Sequence, residues 1–279
     1  MNTHTQQDNR ADRFAFGANW QRFLSVLDEE RIAEAEHSLR QSLEVSSLMG
    51  LSFLDIGSGS GLFSLAAMRL GASRVHSFDL DPLSVACTAE LRRRYFAEAD
   101  NWTVEAGSAL DAAYVESLGE WDVVYSWGVL HHTGNMEEAL RTASSAVAPG
   151  GRLFISIYND QGRLSRVWRR VKHAYNVLPQ PFRKPYAVAV IMPFELACAG
   201  KALVTLQPQR YVKSWTHYKR SRGMSRWYDL IDWVGGYPFE VARPEWVFEF
   251  FKRRGFVLTK LRTCGGGLGC NEYVFTRPQ

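Results

Sequence analysis

The chain has 279 residues, 46% hydrophobic and 22% charged, with 33 Lys and Arg against 29 Asp and Glu for a formal net charge of +4. Such proportions exclude a disordered or collagen-like chain and leave room for one large α/β domain or a core with a small second unit. Four cysteines are too few for a disulfide scaffold and are expected as reduced thiols in a cytoplasm, and no basic segment, apolar run and cleavage site open the chain as a secretory signal would.

Residues 1–12 are polar and predicted to be disordered. An aromatic-rich run from Phe14 to Leu24 leads into an amphipathic helix predicted over Glu29 to Leu48. Phe16, Asn19 and Trp20 either cover a sheet edge, as large rings do wherever they find a partner, or close over a ligand. Next, Phe53 to Ile56 reads as a buried strand that turns through Gly57, Gly59 and Gly61 into a helix beginning at Leu62. Glycines there admit positive φ and let backbone N–H groups approach a ligand. The third glycine comes one residue too early for a dinucleotide fingerprint, and Leu62 stands where that glycine belongs. Asp55, just before the turn, would repel phosphate and suit a cationic amino-acid moiety.

A second strand, Arg74 to Phe78, ends in Asp79, the place from which a carboxylate reaches ribose hydroxyls in a nucleoside-binding βαβ unit. Asp81 and Pro82 read as a helix start, an acidic cap followed by proline at the first helical position. Trp102 to Ala106 forms a third strand, Trp121 to Ser126 a fourth that leads into Trp127-Gly128-Val129-Leu130-His131-His132, and Arg152 to Tyr158 a fifth after a helix from Met136 to Val147. Strands alternating with helices imply a parallel, doubly wound sheet.

The series from Asp55 to Tyr158 closely resembles the class I S-adenosylmethionine-dependent methyltransferases over roughly residues 50 to 160. That resemblance implies an α/β, Rossmann-like doubly wound seven-stranded sheet, mostly parallel with an antiparallel C-terminal hairpin, and S-adenosylmethionine as cofactor, released as S-adenosylhomocysteine. It also implies that Asp55, Gly57, Ser58, Gly59, Gly61, Asp79, Leu80, Ser108, Ala109 and Ser126 line the cofactor site. Where the family usually carries an acidic residue beside the adenine, this chain has Ser108. No motif requires a metal.

From Tyr158 the chain leaves the common core for almost a hundred residues before Gly255 to Leu261 supplies a sixth strand and Asn271 to Phe275 a seventh. This insertion is predicted to be a helical lid, giving an N-terminal arm and cap over 1–48, a cofactor-binding core over 49–160, the lid over 161–250 and closing strands over 251–279. It holds basic helical segments from Leu164 to Val177 and Tyr211 to Arg222, either solvated faces or docking surfaces for nucleic acid, anionic lipid or phosphate. Between them the apolar stretch from Tyr186 to Leu206 is interrupted by Pro193, Glu195 and Lys201, which argues against a membrane span and for a packed lid helix or a surface-seated amphipathic segment.

Arg226, Tyr228, Asp229, Asp232, Trp233 and Tyr237 mix rings and carboxylates as sites for polyhydroxylated ligands do, although an acidic solvent face would read the same. A similar Asp-rich aromatic segment ending in Gly-Gly-Tyr-Pro-Phe-Glu occurs in methyltransferases resembling those of bacterial surface-polysaccharide and secondary-metabolite clusters. Together with Phe16, Trp20, Trp127 and Asn159 these residues form the expected substrate set. His131, His132 and Tyr158, beyond the carboxyl ends of the fourth and fifth strands, are the candidate catalytic groups, an imidazole being the usual proton acceptor near neutral pH. The alternative for the histidines is a turn-capping role. The expected activity is methyl transfer to a small-molecule hydroxyl, such as that of a sugar, with no obligatory nucleic acid. Thiol or amine methylation, an RNA or protein methyltransferase, a cofactor-binding interaction module and, least favoured, a nicotinamide oxidoreductase are the alternatives.

Overall fold

A computed structural model describes residues 14, 16–216 and 226–279, with the side chains at 18, 210, 216, 226–229 and 232 outside the description. β1 (Ser52–Ile56) pairs in parallel with β2 (Arg74–Asp79) on one side and β4 (Trp121–Trp127) on the other. β3 (Trp102–Ala106) and β5 (Val147–Tyr158) continue the parallel array outward, and the C-terminal pair β6 (Val257–Arg262) and β7 (Cys270–Thr276) adds an antiparallel edge, for the order β3-β2-β1-β4-β5-β7-β6. The strand order reverses between β1 and β4, so the chain leaves both strands beside a crevice at their carboxyl ends, where ligands bind in such sheets.

Helices cover both faces because the strands are apolar on both. On one face α2 (Glu29–Leu43) and α3 (Leu62–Arg69) bury Ile32, Leu39 and Leu65 against Val75, Tyr125 and Phe154. The other face carries α6 (Met136–Ser145), whose Leu140 and Ala143 join Leu54, Val124 and Ile155. α4 (Pro82–Tyr95) and the short α5 (Ala112–Ser117) complete the crossovers, each opened by an aspartate, Asp81 and Asp111, that accepts a backbone N–H of the first turn.

Several boundaries differ from expectation. The aromatic run forms its own helix, α1 (Gly17–Leu24), and α2 stops at Leu43 rather than Leu48 because Glu44 takes a left-handed conformation, φ 55° and ψ 48°. β5 begins at Val147, beside Trp121, so α6 ends before it at Ser145. Within the insertion lie α7 (Arg163–Val177), α8 (Gln180–Val204, running through Pro185 and Pro193), α9 (Pro208–Thr216) and α10 (Arg226–Gly235). These build a small cluster of their own from Tyr175, Ala187, Ile191 and Val234.

The last helix, α11 (Pro244–Lys252), belongs with the main sheet: Phe251 is fully buried with its ring 4.3 Å from Phe275 of β7. Phe251→Ala should therefore lower stability by about 3–5 kcal/mol, read as a drop in the urea midpoint. Leu203→Ala, at an exposed position of α8, should shift it by less than about 0.5 kcal/mol.

Candidate active site

Past Ile56 the chain turns at Gly57, Gly59 and Gly61, with φ of 77°, 55° and 80°. Space demands glycine as well: a Cβ on Gly57 would lie 2.4 Å from the Val129 side chain, and one on Gly61 2.7 Å from the Thr88 backbone. The N–H groups of Gly57 and Ser58 donate to the Phe78 carbonyl at 2.8 and 3.0 Å, tying the turn to the end of β2.

Two carboxylates lie at this turn, Asp55 buried and Asp79 half-buried. Asp79 accepts the N–H of Gly59 and of Asp81, each at 2.9 Å, and burial still pushes its carboxyl up to about 6. Asp55 stands at the end of a chain of donors: the Trp102 indole gives its N–H to Ser77 at 2.9 Å, Ser77 gives its hydroxyl to Ser64 at 2.7 Å, and Ser64 donates to Asp55. Burial raises Asp55 to about 7, against the Ser64 hydrogen bond and with help from the charge of Asp79. Among the described residues neither carboxylate is paired with a cation, and each keeps lone pairs beyond those already used. A ligand that brings a positive charge and hydroxyl donors fits this place, and phosphate does not.

Beyond β4 a 3₁₀ turn, Leu130–His132, carries both histidines. His131 is completely buried, its ring 4.1 Å from Tyr158 and 4.5 Å from His132, and burial holds its pKa well below the usual range. His132 is partly exposed, and its Nδ1 lies 2.6 Å from the Pro238 carbonyl. A carbonyl can only accept, so Nδ1 carries the proton and Nε2 the free lone pair. Burial first, and the charge of Lys172 second, bring its pKa down to about 3.

The segment from Tyr237 to Glu240, with a cis Tyr237–Pro238 bond, holds this turn in place. Glu240 gives its N–H to the His131 carbonyl at 3.0 Å, while its carboxylate oxygens accept the Met136 N–H at 3.1 and 3.0 Å, capping α6. Lys172 of α7 is buried beside Tyr158 and Phe239, its ammonium 4.9 Å from the Phe239 ring and donating to the Trp233 carbonyl. Sequence reasoning left Lys172 out; its signal was a lysine four residues after Trp168 and three before Tyr175, on the inward face of α7.

The N-terminal arm crosses the same region. Gly17 N–H donates to Asp81 at 2.9 Å, and a Cβ on Gly59 would lie 3.1 Å from the Trp20 indole. Phe16 lies 5.1 Å from His132, and the Phe14 N–H donates to the Tyr237 carbonyl at 3.0 Å. The arm thus touches the glycine turn, the histidine turn and the insertion.

Most of the other residues expected at the site also make contacts within the protein. Ser126 donates to the Ile56 carbonyl at 2.9 Å, and Ala109 is buried in the main core. Ser108 closes its own turn by accepting the Leu110 N–H, and Leu80 is exposed. Asn159 accepts the Asn271 amide at 3.2 Å and pairs with the glycine loop before β7. The Trp127 indole donates to Glu272 at 3.1 Å, Trp233 packs at a tilt against Trp168 with ring centroids 3.9 Å apart, and the Tyr237 ring lies against His173. The backbone of α10 brings 229 and 232 within one helix, but the side chains of Arg226, Tyr228, Asp229 and Asp232 lie outside the described residues. Ser64, Ser77 and Trp102, which orient Asp55, gave no motif signal because a buried hydroxyl relay has no fixed spacing.

Residues 16–192 match the family model described as a methyltransferase domain. Among curated proteins, the ribosomal protein L11 methyltransferase of Methylococcus capsulatus is 34% identical over 116 residues, 41% of this chain and 36% of its own length. The ubiquinone biosynthesis O-methyltransferase of Methylobacterium sp. is 32% identical over 129 residues, 46% of this chain and 49% of its own. The chain thus spans about a third to a half of the length of these relatives. Of solved structures, the magnesium protoporphyrin IX methyltransferase of Synechocystis PCC 6803 with bound SAH shares the fold at a TM-score of 0.53 and 13% identity, covering 93% of both chains. The N-methyltransferase NodS of Bradyrhizobium japonicum WM9, in complex with SAH, does so at 0.52 and 15%, covering 95% of this chain and all of that one.

Asp55→Asn should change how stability depends on pH. In the wild type the folded carboxyl keeps its proton up to about 7, whereas an unfolded one loses it near 3.8. The group's contribution is therefore complete below the lower value and lost as pH rises through the upper one. Between about pH 4.5 and 7.5 the asparagine variant should gain on wild type by up to about 4 kcal/mol in urea unfolding, at about 1.4 kcal/mol per unit. Parallel stability curves would show that Asp55 titrates normally.

Proposed function

The chain belongs to the methyltransferase-domain family, and on that premise we propose that it transfers a methyl group from S-adenosylmethionine to the hydroxyl of a small molecule, with His132 as proton acceptor. What supports this reading is a buried and a half-buried carboxylate at the glycine turn, neither paired with a cation among the described residues, together with an imidazole of fixed tautomer beyond β4. When bound, S-adenosylmethionine supplies an electrophilic methyl group on a positively charged sulfur. Gly57, Ser58 and Gly59 bring backbone close to it, Asp79 takes the ribose hydroxyls, and Asp55 complements the cationic amino-acid end.

His132 then does what this chain adds to the chemistry. Its Nδ1 proton is held by Pro238, so Nε2 points its lone pair away from the carbonyl and can take the acceptor's hydroxyl proton as the new bond forms. With a pKa near 3 the ring is neutral throughout the working range, and no acid limb near 6.5 is expected from it. Tyr158, packed against both imidazoles and over Phe239, fixes the wall of the site, and burial first, with the charge of Lys172 as a smaller cause, leaves both imidazoles neutral before the acceptor binds. Phe16 and Trp20 of the arm exclude water from above. Four free cysteines support a reducing, cytoplasmic setting.

The basic stretch of the insertion, and the matches to ribosomal protein L11 methyltransferases, favour a second reading in which a protein or RNA is the acceptor. Incubating the protein with methyl-labelled S-adenosylmethionine and a bacterial lysate, then separating small-molecule, lipid, protein and nucleic-acid fractions, distinguishes the two. Label in the small-molecule or lipid fraction is expected, and label confined to protein or RNA would overturn the proposal. His132→Ala should lower kcat about 10²- to 10⁴-fold while leaving the Kd for S-adenosylmethionine within about twofold. Asp79→Ala should weaken that Kd instead; unchanged affinity would remove Asp79 from the cofactor site.

A further inference from the structure

α8 exposes apolar side chains along its whole length. Phe182, Leu196 and Leu203 stand 60%, 64% and 64% exposed at multiples of seven residues, with Met192 between them on the same helix face, and at its end Val204 and Leu206 are each 85% exposed. The opposite face is committed to protein: Ala187 and Ile191 are buried beside Tyr175 and Val234, and Glu195 accepts the Tyr211 hydroxyl at 2.9 Å and the Trp215 indole at 3.2 Å. At 25 residues the helix is about 38 Å long and apolar enough to cross a bilayer, but crossing would strip that inner face from α7, α9 and α10. A helix fixed on one side and apolar on the other is built to lie in an interface.

Charge decides what kind of interface. Residues 161–216 carry ten Arg and Lys and a single acid, Glu195, whereas the whole chain has 33 basic and 29 acidic residues, so the remainder of the molecule is net acidic. Arg163, Arg166 and Arg170 of α7, Lys184 and Lys201 of α8 and Lys213 of α9 are all exposed. A second copy of the chain would bring two basic segments together, and an RNA would find on α8 an apolar stripe with no hydrogen-bonding groups.

We propose that the α8 face docks on an anionic phospholipid bilayer, the apolar stripe entering the headgroup boundary and the basic excess of the insertion drawing it to lipid phosphates. The docking is independent of which acceptor is methylated. It is tested with the full chain by co-sedimentation with phosphatidylcholine vesicles, alone or with about 30% phosphatidylglycerol, at low and high salt. Anionic vesicles should bind at least about tenfold more protein than neutral ones, with binding reduced by salt. Leu196→Glu/Leu203→Glu should lose at least about tenfold of that partitioning with an unchanged circular dichroism spectrum and Tm, and Lys184→Glu/Lys201→Glu should lose roughly fivefold per residue. Failure of the wild type to bind anionic vesicles, or equal binding by the Leu196→Glu/Leu203→Glu protein, overturns the proposal. So does a wild-type dimer that these substitutions dissociate, or salt-sensitive RNA binding, in the absence of vesicle binding.

Discussion

Holding one buried and one half-buried carboxylate close together with no paired cation among the described residues is the condition on which the glycine turn depends. Asp55 and Asp79 end adjacent parallel strands, so the sheet itself fixes their proximity. Two devices make the arrangement tolerable. Backbone N–H groups of the glycine turn and of Asp81 satisfy one carboxylate, and a hydroxyl relay anchored on the Trp102 indole satisfies the other. Both depend on the glycine backbone staying in the left-handed region, and on Val129 and Thr88 lying too close for any side chain there. The electrostatic cost is relieved by protonation, which is why both carboxyls titrate high, or by a ligand of opposite charge.

Most of the sheet was legible in the sequence, and for a physical reason. Parallel strands buried on both faces read as short apolar runs, and Gly57-Ser58-Gly59-Ser60-Gly61 and Asp81-Pro82 mark the ends of β1 and β2 through local backbone conformation, whereas Pro149-Gly150-Gly151, read as the stop before the fifth strand, lies inside β5. Helix ends were less legible. Nothing local marks Glu44 as the residue that goes left-handed, and the aromatic run ahead of Leu24 gave no sign that it would coil into a helix of its own.

The site was legible only in its backbone-determined half. Asp55, the glycines and Asp79 follow from strand ends, whereas the environment of His132 comes from Pro238, more than a hundred residues on, and from Lys172 in the insertion. Such contacts are set by tertiary packing and leave no spacing to read. For the same reason the position of Ser126, Trp127 and Asn159 at carboxyl ends of strands did not reveal their partners, Ile56, Glu272 and Asn271.

The segment from Phe16 to Trp20 joins two parts of the molecule that are far apart in sequence. The Trp20 indole lies beside Gly59 and the Phe16 ring beside His132, and the Gly17 N–H between them is held by Asp81. Contacts to the glycine turn and to the histidine turn are therefore carried by one helix eight residues long and its cap, so that loosening this helix would disturb both turns together.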